Sequence, residues 1–291
     1  MLEPSRDLCG TTPEQFADLL ARLAPLADAE YLARGERPGR KRRLGGGDKP
    51  NPFWFRLLVA LTYLRQGITL RATAAIFGID EKSVRNYRDE IVRLLAAHGC
   101  QPPGAPRPIR TLDDLRDHLD SLPEECCMVD GTHVPRSMPV DFDAQRAAWS
   151  GKDRDHVAKG TVIAGSHRRP VWFEANPNRE GRTHDITMLR AQQDLLDVLA
   201  RTTAHVLGDK AYGGLIHDID PDRVITPAMK PRGGTLDELA RMVNRDLSSI
   251  RMPVEHAIGR MKWWRQLHHW RNAMSRFGPT GKAIATLASI T

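Results

Sequence analysis

Three carboxylates far apart in the 291-residue chain sit in contexts that would hold them rigidly: Asp130 in CCMVDGTHVP, Asp209 in HVLGDKAYGG and Glu255 in RMPVEHAIGRMKWW. Asp130 and Asp209 follow β-type runs, Cys126 to Val129 and His205 to Leu207, and a strand end is where a packed sheet presents polar groups to a crevice. Glu255 shares helical spacing with Val254, Ile258 and Met261, so a helix would carry it to the same crevice. Hard divalent cations take oxygen ligands, and a pair of them serves phosphoryl transfer. A lone aspartate after a strand is more often a turn or cap residue. Three acids in matching contexts favour the other reading, in which Asp130, Asp209 and Glu255 are both catalytic and metal-binding, with two Mg²⁺ or Mn²⁺ ions as cofactors.

The ordered set resembles the D, D, E triad of DDE-superfamily transposases, specifically the Harbinger-like branch and its bacterial insertion-sequence relatives. Two further stretches carry the likeness: SGKDRDHVAKG, Ser150 to Gly160, resembles that family's Ser-Gly-Lys stretch, and GRTHDITMLR resembles its His-Asp helix start. The family signature Y-x-x-R-x-x-x-E-x-x-x-x-x-x-K is matched by Arg251, Glu255 and Lys262, with Ser248 at the tyrosine position. The resemblance implies a ribonuclease-H-like α/β catalytic domain, a mixed five-stranded sheet flanked by helices. The spacing of Arg251, Glu255 and Lys262 puts all three on one stripe of a continuous helix, so that two cations flank the acid. Pro253 opposes continuity because it removes a backbone bond and clashes with the preceding turn, so a break or bend is expected between Ser249 and Pro253.

Those acids need scaffolding, and the composition supplies enough apolar residues for it. At 41% hydrophobic residues the chain can bury one full core, and two domains are comfortable. The longest apolar stretches, Leu57 to Leu64 and Ala283 to Ile290, are too short to span a membrane, and MLEPSRDLCG lacks the regions of a signal peptide. Cys9, Cys100, Cys126 and Cys127 form no C-x-x-C, and read as core thiols in a reducing compartment. No histidine spacing points to zinc. The expected location is the bacterial cytoplasm, at the nucleoid.

Charge is uneven. Of the net +7, residues 1–110 contribute +6, from 18 basic and 12 acidic groups. A basic excess there favours a polyanion through counterion release.

The elements divide the chain into residues 1–99, helical; 100–123, a proline-rich linker with a short helix from Leu112; and 124–291, catalytic. Pro13 to Arg34 reads as a helix interrupted at Pro25. The run Arg40, Lys41, Arg42, Arg43 with glycines after it is either a solvated linker or a DNA-backbone arm. Residues 53–97 read as a helix-turn-helix, with Gly78 in the turn, Asp80 as cap, and Val84, Ile91 and Leu95 as the inner stripe. Lys82, Ser83, Arg85 and Asn86 then stand at the start of a helix that could enter a major groove; an ordinary three-helix bundle is the plainer alternative. Expected strands cover 126–134, 161–166, 170–175, 204–209 and 223–226, with a helix over 184–200.

Around the acids, Asp185 is either a dipole-stabilised helix-start residue or a supporting member of the site. Lys152, His156 and Lys159 are phosphate contacts or solvated cations, and Lys210, next to Asp209, is the better phosphate candidate. Trp263, Trp264 and Trp270 are expected on the last long helix, buried against the sheet, unless the most exposed one stacks on a base. The basic excess over Arg260 to Arg271 again suits a polyanion.

The expected activity is DNA transposition: metal-dependent phosphodiester hydrolysis and strand transfer at the ends of an insertion sequence. The partners would be double-stranded DNA, as terminal inverted repeats and target, and a second copy of the chain or more. The alternatives are a domesticated, non-catalytic DNA-binding protein and a metal-dependent endonuclease without strand transfer.

Overall fold

The computed structural model describes residues 2–35, 51–121, 126–177 and 180–291. The run Arg40, Lys41, Arg42, Arg43 lies outside them. Helices α1 (Arg6–Cys9) and α2 (Pro13–Gly35) precede α3 (Phe53–Gln66), α4 (Leu70–Phe77) and α5 (Glu81–His98). The helix α2 runs through Pro25 without the expected interruption. Between α4 and α5, Gly78 has φ 63, the left-handed conformation a tight turn needs. Asp80 then caps α5, accepting from the Ser83 amide at 2.9 Å and the Ser83 hydroxyl at 2.7 Å. Val84, Ile91 and Leu95 are fully buried, as their spacing predicts. Arg56 of α3 forks onto Glu90 of α5 at 2.9 and 3.1 Å, locking the two helices together.

After α6 (Leu112–Asp120), whose Thr111 and Asp114 form a capping box, come β1 (Cys126–Pro135), α7 (Phe142–Ala148), β2 (Trp149–Ser150), β3 (Asp155–Ala164) and β4 (Pro170–Ala175). Then follow α8 (Asp185–Ala191), α9 (Gln193–Arg201), β5 (His205–Leu207), β6 (Val224–Ile225), α10 (Glu238–Lys262) and α11 (Phe277–Ile290). The strand β3 pairs antiparallel with β1, β2 and β4, while β1, β5 and β6 are mutually parallel neighbours in that order. The sheet is therefore mixed and flanked by helices. It has one strand more than expected: β2, two residues long, forms where the Ser-Gly-Lys turn folds back on β3.

Side chains alternate along β1. Met128 and Val134 join a cluster with Val254, Phe277 and Ile284, and Cys127 and Val129 join one with Leu189, Leu196 and Leu199. The first cluster also contains Leu23, Leu61 and Leu95, so the N-terminal helices and one sheet face share a core. The helix α11 is buried nearly all round, which explains why Lys282 is its one charged residue.

Two helical expectations need correction. The helix α10 is continuous through Pro253. The carbonyl that Pro253 leaves without a donor belongs to Ser249, an exposed residue that water can serve, and Val254, Ala257 and Met261 anchor the following turns by burial. The helix expected over 184–200 is two, divided at Gln192. That side chain is drawn inward, accepting from Thr161 Oγ1 at 2.7 Å and donating to the carbonyls of Glu174 and Ala175 at 3.1 and 3.2 Å. Trp263, Trp264 and Trp270 also lie just beyond α10 rather than on it. No helix among the described residues is long and apolar enough to cross a membrane.

Candidate active site

Strand register brings the two aspartates together. In the parallel pair, Met128 of β1 stands beside Leu207 of β5. Asp130 and Asp209 each lie two residues further on, so they sit side by side where the strands part, with parallel neighbours about 4.8 Å apart. Each has one oxygen engaged by backbone: Asp130 Oδ1 accepts from the Gly131 amide, and Asp209 Oδ1 from Ala211, both at 2.8 Å. Arg251 Nη2 of α10 reaches Asp130 Oδ2 at 3.2 Å.

A third carboxylate approaches from α8. Asp185 packs over Gly131, where an added Cβ would meet its Cγ at 2.8 Å. Only glycine lets that carboxylate sit so near Asp130. His133 and Lys159 are register partners on β1 and β3, and both reach Asp185 Oδ1, from His133 Nε2 and Lys159 Nζ, each at 3.6 Å. At that distance they act by charge, and the buried oxygen makes no hydrogen bond. Lys159 Nζ donates to the Thr183 carbonyl at 2.7 Å. His133 Nδ1 lies 2.6 Å from Asp153 Oδ2, which also accepts from Ser150 Oγ at 2.7 Å. The Ser-Gly-Lys turn is thus wired to the acids.

The electrostatics are those of an under-neutralised anion cluster. Burial pushes the Asp130 carboxyl up to about 6; Arg251 and the Gly131 amide oppose the rise, and Asp209 and Asp185 add to it. Asp185 is also penalised by burial, but His133 and then Lys159 hold it below the usual carboxylate range. Tyr212, fully buried with no hydrogen bond to its hydroxyl, has its phenol pushed well up by burial and then by Asp185, Asp130 and Asp209.

Glu255 is one helical turn beyond Arg251 and exposed. Among the described residues, no three His, Cys, Asp or Glu side chains are already gathered closely enough to hold an ion. The fit to a hard divalent cation is therefore one of chemistry: oxygen donors, excess negative charge and an orphaned carboxylate oxygen on Asp185, which a cation would relieve.

Of the other expected residues, Lys210 is exposed and Lys262 half-buried. Lys82, Arg85 and Asn86 are exposed along the start of α5, while the Ser83 hydroxyl is engaged by Asp80. Lys159 is buried in β3. Sequence reasoning passed over His133, Asp153 and Tyr212. Their one available signal was position: His133 is three residues after Asp130, and Tyr212 three after Asp209.

A family model described as "DDE superfamily endonuclease" matches residues 129–288, and one described as "Helix-turn-helix of DDE superfamily endonuclease" matches 56–101. The chain is 26% identical over 257 residues to the probable transposase for insertion sequence element IS702 of Microchaete diplosiphon, covering 86% of this chain and 82% of that protein. No solved structure matches.

Proposed function

Because the chain belongs to the DDE superfamily endonucleases, we propose that it is a DNA transposase that cuts a phosphodiester at the ends of an insertion sequence and joins the freed 3′-hydroxyl to target DNA. What carries this reading is the register-matched pair Asp130 and Asp209, with Arg251 against Asp130 and burial raising that carboxyl in spite of it. The mixed sheet order, with helices on both faces, supports a ribonuclease-H-like catalytic domain over 124–291. Residues 1–99 would hold DNA and 100–123 connect the two.

Asp130 and Asp209 would hold two Mg²⁺ or Mn²⁺ ions, with Glu255 completing the set from α10. When bound, such ions supply a nucleophile of lowered pKa and stabilise the leaving oxygen. The chain's own side chains do the rest. Arg251 and Lys262, either side of Glu255 on one stripe, and Lys210 beside Asp209, clamp the phosphate being cut. Asp185, braced by Lys159 and His133, packs over Gly131 and so fixes the stretch of β1 that presents Asp130. Lys82, Arg85 and Asn86 reach terminal-repeat DNA from the helix-turn-helix, with Ser83 at the same helix start, and Arg40, Lys41, Arg42 and Arg43 hold its backbone. Two ends must be cut, so the working form is at least a dimer.

The test is nicking and excision of a plasmid carrying the element's own flanking DNA. Asp209→Ala, Asp130→Ala and Glu255→Ala should each abolish both. Retained activity in Asp209→Ala would reject the assignment.

A further inference from the structure

The stripe of α10 that carries Arg251 and Glu255 continues through Gly259 to Trp263, which keeps helical dihedrals at the helix end. At 1.5 Å per residue, Gly259 and Trp263 lie about 6 and 12 Å beyond Glu255. There a cavity of about 560 Å³ opens, lined among others by Arg6, Arg169, Gly259, Arg260, Trp263 and Trp264, and by no carboxylate side chain. We propose that this cavity is a phosphate-binding pocket for the backbone of the bound DNA strand, a short way along the strand from the bond being cut.

Three observations carry the inference, which rests on the transposase reading above for the identity of the polyanion. First, three guanidinium groups from remote segments line one cavity that holds no acidic side chain, with the Thr291 carboxylate as the single anion among the lining residues. Among the described residues, neither Arg6 nor Arg260 forms an ion pair, and Arg169 is engaged only by the Ala288 carbonyl, at 3.2 Å. Arg6 and Arg260 are exposed and Arg169 half-buried, so the cavity turns a net positive face to solvent, which suits a polyanion. Burial and then Arg260 lower the pKa of Arg169, so the two guanidinium groups are near enough to feel one another.

Second, the aromatic wall is held open. Trp264 is fully buried, whereas Trp263 remains 40% exposed with the Arg65 guanidinium over its ring at 3.7 Å and hydrogen-bonded to its carbonyl. Third, Gly259 leaves the cavity lining open: a Cβ there would meet nothing within 4 Å. A DNA strand carries one phosphate per about 3.4 Å of helix axis, so 6 to 12 Å is roughly two to four nucleotides. A strand lying on the α10 stripe with one phosphate at Glu255 therefore brings another to the arginines.

The experiment is fluorescence anisotropy of a labelled random-sequence DNA duplex with the full chain over a series of NaCl concentrations. Arg260→Glu should weaken binding roughly tenfold or more at 0.1 M salt and lower the slope of log K against log salt by about 1. Gly259→Glu places an anion in an open position without removing a cation, and should weaken binding comparably. Wild-type affinity and slope in both pocket variants, with unchanged melting temperatures, would overturn the proposal. So would inorganic phosphate that quenches Trp263 fluorescence, with Trp263→Phe as reference, while neither variant alters DNA binding: the pocket would then serve a small anion. Weakened binding in a chain that cuts no DNA would uphold the pocket and remove the transposase reading. Cutting by a chain whose pocket variants bind normally would overturn the pocket alone.

Discussion

The two ends of one stripe on α10 carry opposite electrostatic debts. At the Arg251 end, Asp130, Asp185 and Asp209 gather at a strand terminus beside Arg251, Lys159 and His133, and burial, with a smaller push from the other two acids, raises the Asp130 carboxyl to about 6. At the Trp263 end, three arginines line a cavity whose single anion is the Thr291 carboxylate. Among the described residues, the acids of the first region pair with Arg251, Lys159 and His133, and none of them reaches the arginines of the second. A cation at the first and a phosphate chain spanning both would satisfy them together.

The sharpest way to break this contrast is at the acid end. Asp130→Ala or Asp209→Ala should reduce plasmid nicking by roughly 10³-fold or more, since the side chains proposed to hold the metal are removed outright. Gly131→Ala should act through position alone. The new Cβ pushes on Asp185, costing about 1–3 kcal/mol in urea denaturation, with kcat falling further than KM rises; unchanged kcat would separate Asp185 from the chemistry.

Titration sharpens the comparison further. Asp130 has its folded pKa raised from 3.8 to about 6, so the folded state binds the extra proton. Its contribution to stability is present below the unfolded value and is lost as pH rises through about 6. That loss is about 3 kcal/mol. Chelator-treated wild-type protein should therefore lose this increment between about pH 4 and 6 relative to Asp130→Asn, measured by denaturant melts at each pH; parallel curves would show that Asp130 is not desolvated. The smallest effect belongs to the arginine end. Arg65→Ala removes the cation over Trp263 and should cost about 0.5–2 kcal/mol in thermal unfolding, without changing the rate of nicking.

Much of this was legible in the sequence because it depends on local rules. The cap at Asp80, the left-handed turn at Gly78 and the inner stripe of α5 follow from residue type and spacing. The two strand-end aspartates were visible for the same reason, and their adjacency needed only parallel register. What was hidden depends on tertiary contact. Gln192 divides a helix because its amide finds partners on β3 and β4, and Pro253 fails to break one because burial on its far side holds the turns. Lys159 looks like a surface cation until β3 is seen to begin at Asp155 and bury it. Arg6, Arg169 and Arg260 share no pattern at all along the chain, and only the tertiary fold brings them to one cavity. Glu255 was read from helical spacing, and the structure adds that it is exposed beside Arg251.

That residue gives the most direct test of the account. Mn²⁺ titrated into the full chain, with free ion followed by its electron paramagnetic resonance signal, should bind wild-type protein, and each of Asp130→Asn, Asp209→Asn and Glu255→Gln should lose roughly tenfold or more in affinity. Wild-type binding by all three variants would contradict the claim that these acids form one metal site.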